Sequence, residues 1–217
     1  MKSPACITKK KTFSFLDIFH ILLEAFGEQG WWPLFPSKGK DNGNEPLEPQ
    51  YYLGPPRNEG QRFEIAVGAI LTQNANWKNA TQALIQLKKE NLLQPSSILK
   101  ASPLRLEKLI RSSGYFRQKA LRLQVMAQFF KDFPPRKRKN LSSQELYQIL
   151  GALHGVGPET RDTILLYAFG EPFFVIDAYT LRILDRLGLG ALKYNEGQKV
   201  LEDSLPKDIS IYREFHA

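Results

Sequence analysis

The chain has 217 residues, 42% of them apolar, and a net charge of +8 from 30 Lys and Arg against 22 Asp and Glu. That length allows one or two compact domains with a real core, and the basic balance points towards an anionic partner such as nucleic acid. A single cysteine, Cys6, excludes an internal disulfide or a cysteine-held metal cluster, and no apolar run reaches the ~18 residues a membrane span needs.

Residues 1–11 read as a disordered basic lead. From Phe15, apolar residues at Ile18, Phe19, Leu22, Leu23 and Phe26 share one face and predict a helix that Gly27 and Gly30 stop. Trp31-Trp32-Pro33 follows. Residues 36–60 are rich in Gly, Pro, Asn and charge around Tyr51-Tyr52, which predicts an inserted surface loop. Residues 62–71 are apolar nearly all round, so a central buried helix is expected there. Polar Thr72 to Asn76 interrupt it, and Trp77 opens an amphipathic helix through Leu84 and Leu87. Ser102-Pro103 is a cap followed by a first-turn proline, starting a helix with Leu106, Leu109 and Ile110. Gly114-Tyr115 separates it from a helix bearing Ala120, Leu123, Ala127 and Phe130, which Pro134-Pro135 ends. Arg136 to Lys139 then predict a basic loop.

The next stretch organises the rest. Ser142 with Glu145 is a capping-box start, and Leu146, Ile149 and Leu150 supply an apolar stripe. Leu153-His154-Gly155-Val156-Gly157 turns the chain, its glycines permitting positive φ and a close backbone approach. Pro158 opens a second helix through Ile164, Leu165 and Ala168, broken by Gly170-Glu171-Pro172. Apolar Phe173 to Ile176 leads to Asp177, placed as the cap of a helix that Gly188 ends. Val200, Leu201 and Leu205 suggest one further helix, and Ile209, Tyr212 and Phe215 another. Helical periods throughout and few strand signals predict an all-α fold.

The hairpin Leu153 to Gly157, Thr160 beyond it, and Val175-Ile176-Asp177 eighteen residues after Glu159 resemble the helix-hairpin-helix DNA glycosylases of the endonuclease III superfamily. The resemblance implies two helical domains with a cleft between them. Residues 61–171 would be a six-helix barrel with the helix-hairpin-helix at 144–169. Segments 1–35 and 172–217 would pair as the terminal domain, with 36–60 as a loop insertion. Trp31-Trp32-Pro33, Thr72-Gln73-Asn74 and Trp77 look like the branch that removes 3-methyladenine.

By that likeness Asp177 is the catalytic carboxylate, stabilising the cationic sugar at C1′ or activating water. An ordinary helix cap is the plainer reading, and the two are compatible. Glu159 stands where strand-cleaving relatives carry a lysine, and a carboxylate cannot form their Schiff base. It is a first-turn surface acid or a hydrogen-bond acceptor for the base. Trp31, Trp32, Pro33 and Trp77 would form the base pocket, Trp32 and Trp77 sandwiching an electron-poor alkylated purine. Core packing is the commoner fate of a tryptophan. Gln73 would fill the gap left by the flipped base. His154, Gly155, Val156, Gly157 and Thr160 would grip the DNA backbone, helped by Lys119 at a phosphate. His154 and His216 lack a second ligand at metal spacing.

The resulting expectation is a monofunctional glycosylase for alkylated purines in double-stranded DNA, acting as a cytoplasmic or nucleoid-associated monomer without cofactor. Many relatives continue into four cysteines that hold an iron-sulfur cluster. This sequence stops at Glu214 to Ala217, as a fragment or as a cluster-free member. The alternatives are a glycosylase for another damaged or mismatched base and a non-catalytic hairpin module that clamps DNA.

Overall fold

The computed structural model describes residues 14–36 and 48–217, and the basic lead and residues 37–47 of the expected 36–60 loop lie outside them. Among the described residues every regular element is helical; a single antiparallel bridge joins Leu34 to Gln50. The all-α expectation holds.

The centre is α2 (Glu59–Leu71), capped by Asn58, whose side chain accepts the Gln61 N–H. From Phe63 to Leu71 every residue of α2 is buried, as expected for a helix apolar on all sides. Around it stand α3 (Trp77–Lys89), the short α4 (Pro95–Lys100), α5 (Pro103–Leu109) and the long α6 (Phe116–Asp132). The sequence reading passes over α4, which has no side-chain cap and only one buried residue, Ile98. A six-residue helix offers too few turns for an apolar period to register.

The basic run 136–139 was expected as a loop but begins as a helical turn, α7 (Pro135–Arg138). Arg138 is buried: its guanidinium lies over the Phe130 and Phe169 rings and pairs with Glu59. Its charge therefore ties the start of α2 to the end of the hairpin instead of facing solvent.

The hairpin consists of α8 (Ser143–Gly151) and α9 (Pro158–Thr163), which continues with wider pitch through Ile164–Phe169. The Ser142–Glu145 capping box forms as predicted. Gly155 has φ +80° at the turn, and Gly170 ends the second helix in the left-handed region. Leu166 and Tyr167 carbonyls in the widened stretch accept from Arg213, so a buried cation from the far end of the chain closes that helix.

Beyond the hairpin come α10 (Ala178–Leu184), which runs on with wider pitch through Asp185–Leu189, then α11 (Tyr194–Ser204) and α12 (Ile209–His216). The N-terminal α1 (Phe15–Phe26) packs against α11 and α12, joining the two ends of the chain. Glu214 of α12 accepts from the N–H groups of Gln29 and Gly30, just after α1. That contact positions the Trp31-Trp32 segment over Tyr167, with Trp32 and Tyr167 rings 5.8 Å apart.

Candidate active site

The hairpin borders an open cleft of about 640 Å³ lined by Gln73, Asn74, Arg122, residues 155–160 and Tyr194. No side chain caps the start of α9 at Gly157, so the N–H groups there are left for an external acceptor. Gln73 is braced against the turn: its Nε2 donates to Gly155 O at 3.0 Å and Thr160 Oγ1 at 2.8 Å. Its Oε1 accepts from Arg122 Nη1 at 2.5 Å. Thr160 is largely buried but lines the cleft, its hydroxyl accepting from Gln73. His154 is exposed and Val156 is buried beneath the turn.

Asp177 caps α10, its Oδ1 accepting the Thr180 N–H at 2.7 Å and the Thr180 hydroxyl at 2.8 Å. It lines a second, mainly apolar groove of about 490 Å³ between α1, α10 and α12, together with Thr180 and His216. Glu159 opens on the hairpin cleft. Its carboxyl is held above the usual range, first by desolvation and then by the negative charge of Asp177. The two carboxylates of the eighteen-residue spacing are thus electrostatic neighbours. Glu159 keeps solvent access, which limits the size of the effect. His216 is pushed down by burial, against the opposing pull of Asp177, and its Nδ1 lies 2.8 Å from the Tyr167 hydroxyl.

The tryptophans converge but do not form the expected sandwich. Trp32 and Trp77 meet edge to face, centroids 5.5 Å apart and planes at 88°, and Trp31 closes on Trp77 at 5.0 Å. A flat base needs two parallel faces roughly 7 Å apart, twice the usual ring-stacking distance. Trp32 and Pro33 are buried, the indole of Trp32 lying where a side chain on Gly68 would stand. Trp31 and Trp77 keep part of their surface open.

Lys119 is also corrected. It is fully buried, and its Nζ donates to Leu71 O at 2.8 Å and Ser113 O at 2.6 Å. Burial, with the nearby Arg122 charge, lowers its pKa to about 8. It joins the end of α2 to the turn before α6, and no phosphate can reach it.

Residues 67–207 match the sequence profile of the HhH-GPD superfamily base excision DNA repair proteins, well over half of the chain. The chain belongs to that superfamily. It is 37% identical over 206 residues to MJ1434, a candidate DNA repair glycosylase of Methanocaldococcus jannaschii, spanning 92% of this chain and 82% of the relative. It is 30% identical over 157 residues to the endonuclease III of Thermotoga maritima, 71% of each chain. The Helicobacter pylori 3-methyladenine DNA glycosylase bound to 1,N6-ethenoadenine superposes with a TM-score of 0.62 at 26% identity, covering 71% of this chain and 80% of that one. A trapped endonuclease III–DNA covalent intermediate shares the fold at a TM-score of 0.66 and 19% identity, covering 94% and 85%. As an HhH-GPD protein the chain is a base excision repair DNA glycosylase with an endonuclease III-like fold.

Three polar residues of this HhH-GPD site escape a sequence reading. Arg122 and Tyr194 line the hairpin cleft. Beneath them Asp162, wholly buried, accepts from Arg161 Nε at 2.6 Å, Tyr194 at 2.8 Å and Gln198 at 2.8 Å. Gln198 also donates to Phe174 O at 2.7 Å, three residues before Asp177. Asp162 therefore links the helix after the hairpin to the strand-like lead into Asp177. Its one sequence signal is a charged residue three and four positions before the apolar Leu165 and Leu166.

Proposed function

We propose that this glycosylase hydrolyses the N-glycosidic bond of a damaged base in duplex DNA without cutting the strand, and that the base is an alkylated purine of the 3-methyladenine type. The observation that carries the reading is Glu159, open to the hairpin cleft and electrostatically coupled to Asp177. A carboxylate cannot attack C1′ to give an imine, so water is the nucleophile. Asp177 directs that water and offsets the positive charge that develops on the sugar as the base departs. Gln73 at the hairpin supplies the group that enters the gap in the duplex. The raised Glu159 holds its proton to higher pH than an ordinary carboxyl, which suits hydrogen bonding to the base.

Support for the alkylated purine comes from the aromatic cluster and from the similar H. pylori enzyme, a 3-methyladenine DNA glycosylase. A cationic or electron-poor purine is attracted to an indole face, and Trp31 and Trp77 retain open surface for one. The base then stacks against the cluster and not between Trp32 and Trp77.

The test is incubation with methylated duplex DNA, with released bases identified by mass spectrometry and adducts trapped with borohydride. Free 3-methyladenine and no covalent adduct are expected. A trapped protein–DNA adduct would overturn the monofunctional reading. Release of another modified base in preference to methylated purines would overturn the substrate assignment.

A further inference from the structure

We propose that Arg122 is a DNA phosphate contact of the hairpin, taking the place expected for Lys119. The assignment rests on the DNA-repair reading above and adds a binding residue to it. Arg122 lies on α6, in the wall of the hairpin cleft. Its side chain lies flat against the turn: a methyl group on Gly155 would sit 2.7 Å from Arg122 Cδ. The hairpin therefore holds a guanidinium beside the N–H groups that open α9.

The charge balance there is incomplete. Among the described residues Arg122 makes no ion pair. Its hydrogen bonds run to neutral amides, Gln73 at 2.5 Å and Gln118 at 3.4 Å, and its buried Nε has no acceptor. The positive charge it acts on is a second cation, buried Lys119. Arg122 lines the cleft with its charge unpaired, and an anion entering the cleft pairs it. A backbone phosphate fits: it carries the charge and accepts from Arg122 and the hairpin N–H groups together. Because Nη1 holds Gln73, the same contact sets where the gap-filling side chain stands when DNA is bound.

The experiment measures duplex affinity against salt for the parental protein, Arg122→Gln, Arg122→Lys and Gln73→Ala. Loss of one phosphate contact lowers the slope of log K against log salt by about 0.9. Arg122→Gln should show that drop, with affinity falling about tenfold alike on damaged and undamaged duplex. Arg122→Lys should restore the slope, and Gln73→Ala, which removes a neutral group of the same site, should weaken binding without lowering the slope. A parental slope in Arg122→Gln would overturn the proposal. Should that variant not fold, phenylglyoxal labelling of the parental protein reads the same contact: saturating duplex should protect Arg122, and full labelling would overturn it. A parental protein that does not bind duplex at all would overturn the DNA reading and this assignment with it.

Discussion

Replacing Asp177 by Asn separates its chemical role from its structural one. Asn keeps an oxygen where Oδ1 accepts the Thr180 N–H and hydroxyl at 2.7 and 2.8 Å, and Asn and Asp rank equally as helix caps. Stability should therefore change by no more than a few tenths of a kcal/mol, whereas Asp177→Ala should lose about 1 kcal/mol. The rate is another matter. A carboxylate roughly 4–5 Å from a cationic sugar carbon, at an effective dielectric near 20, contributes about 3–4 kcal/mol. Removing it slows base release by roughly 10²–10³-fold. The assay is single-turnover excision with enzyme in excess, alongside duplex affinity and chemical denaturation. Because the Asp177 charge helps to raise Glu159, the substitution should also bring the Glu159 titration down, which carbon NMR of the side-chain carboxyl reports. Excision within about fivefold of the parental rate would refute the assigned role, since no electrostatic contribution of this size could then be present.

Lys119→Met should leave the salt dependence of DNA binding intact and cost about 1–3 kcal/mol in denaturation, because the Leu71 and Ser113 carbonyls lose their buried donor. Glu64 is buried, accepts the Phe35 N–H and is raised by burial to about 7, above the unfolded value of 4.5. The folded state then binds more protons between those values, so stability is full below pH 4.5 and is lost as pH rises through about 7. Glu64→Gln should abolish that decline, seen as a flatter profile of unfolding free energy from pH 4.5 to 8. Asp162→Leu should cost about 3–5 kcal/mol, leaving the buried Arg161 unpaired and Tyr194 and Gln198 without their acceptor. Denaturant titration measures it, and a loss below about 1 kcal/mol would mean the network contributes little.

The sequence by itself determined the helical punctuation. The Ser142–Glu145 capping box, the positive-φ turn at Gly155 and the stop at Gly170 formed as read. So did the buried course of α2 and the two last helices, α11 and α12. Capping, glycine conformations and apolar periods act between residues three or four apart, so the local string contains them in full. The short α4 was missed for the same reason, having too few residues to show a period.

Only the tertiary structure decided what the charged and aromatic side chains do. Lys119 is a buried brace because its acceptor Leu71 lies 48 residues away in sequence. Arg122 meets Gln73 across 49 residues, and Gln73 meets Thr160 across 87. Tryptophans fit to stack on a base instead pack on one another, where the contact of Glu214 with Gln29 and Gly30 holds Trp31-Trp32 beside α2 and α3. A basic or aromatic residue has the same local appearance whether it ends in solvent, in a core or on a ligand. Which of these wins depends on the acceptors and surfaces that distant segments bring to it, and those exist only once the chain has folded.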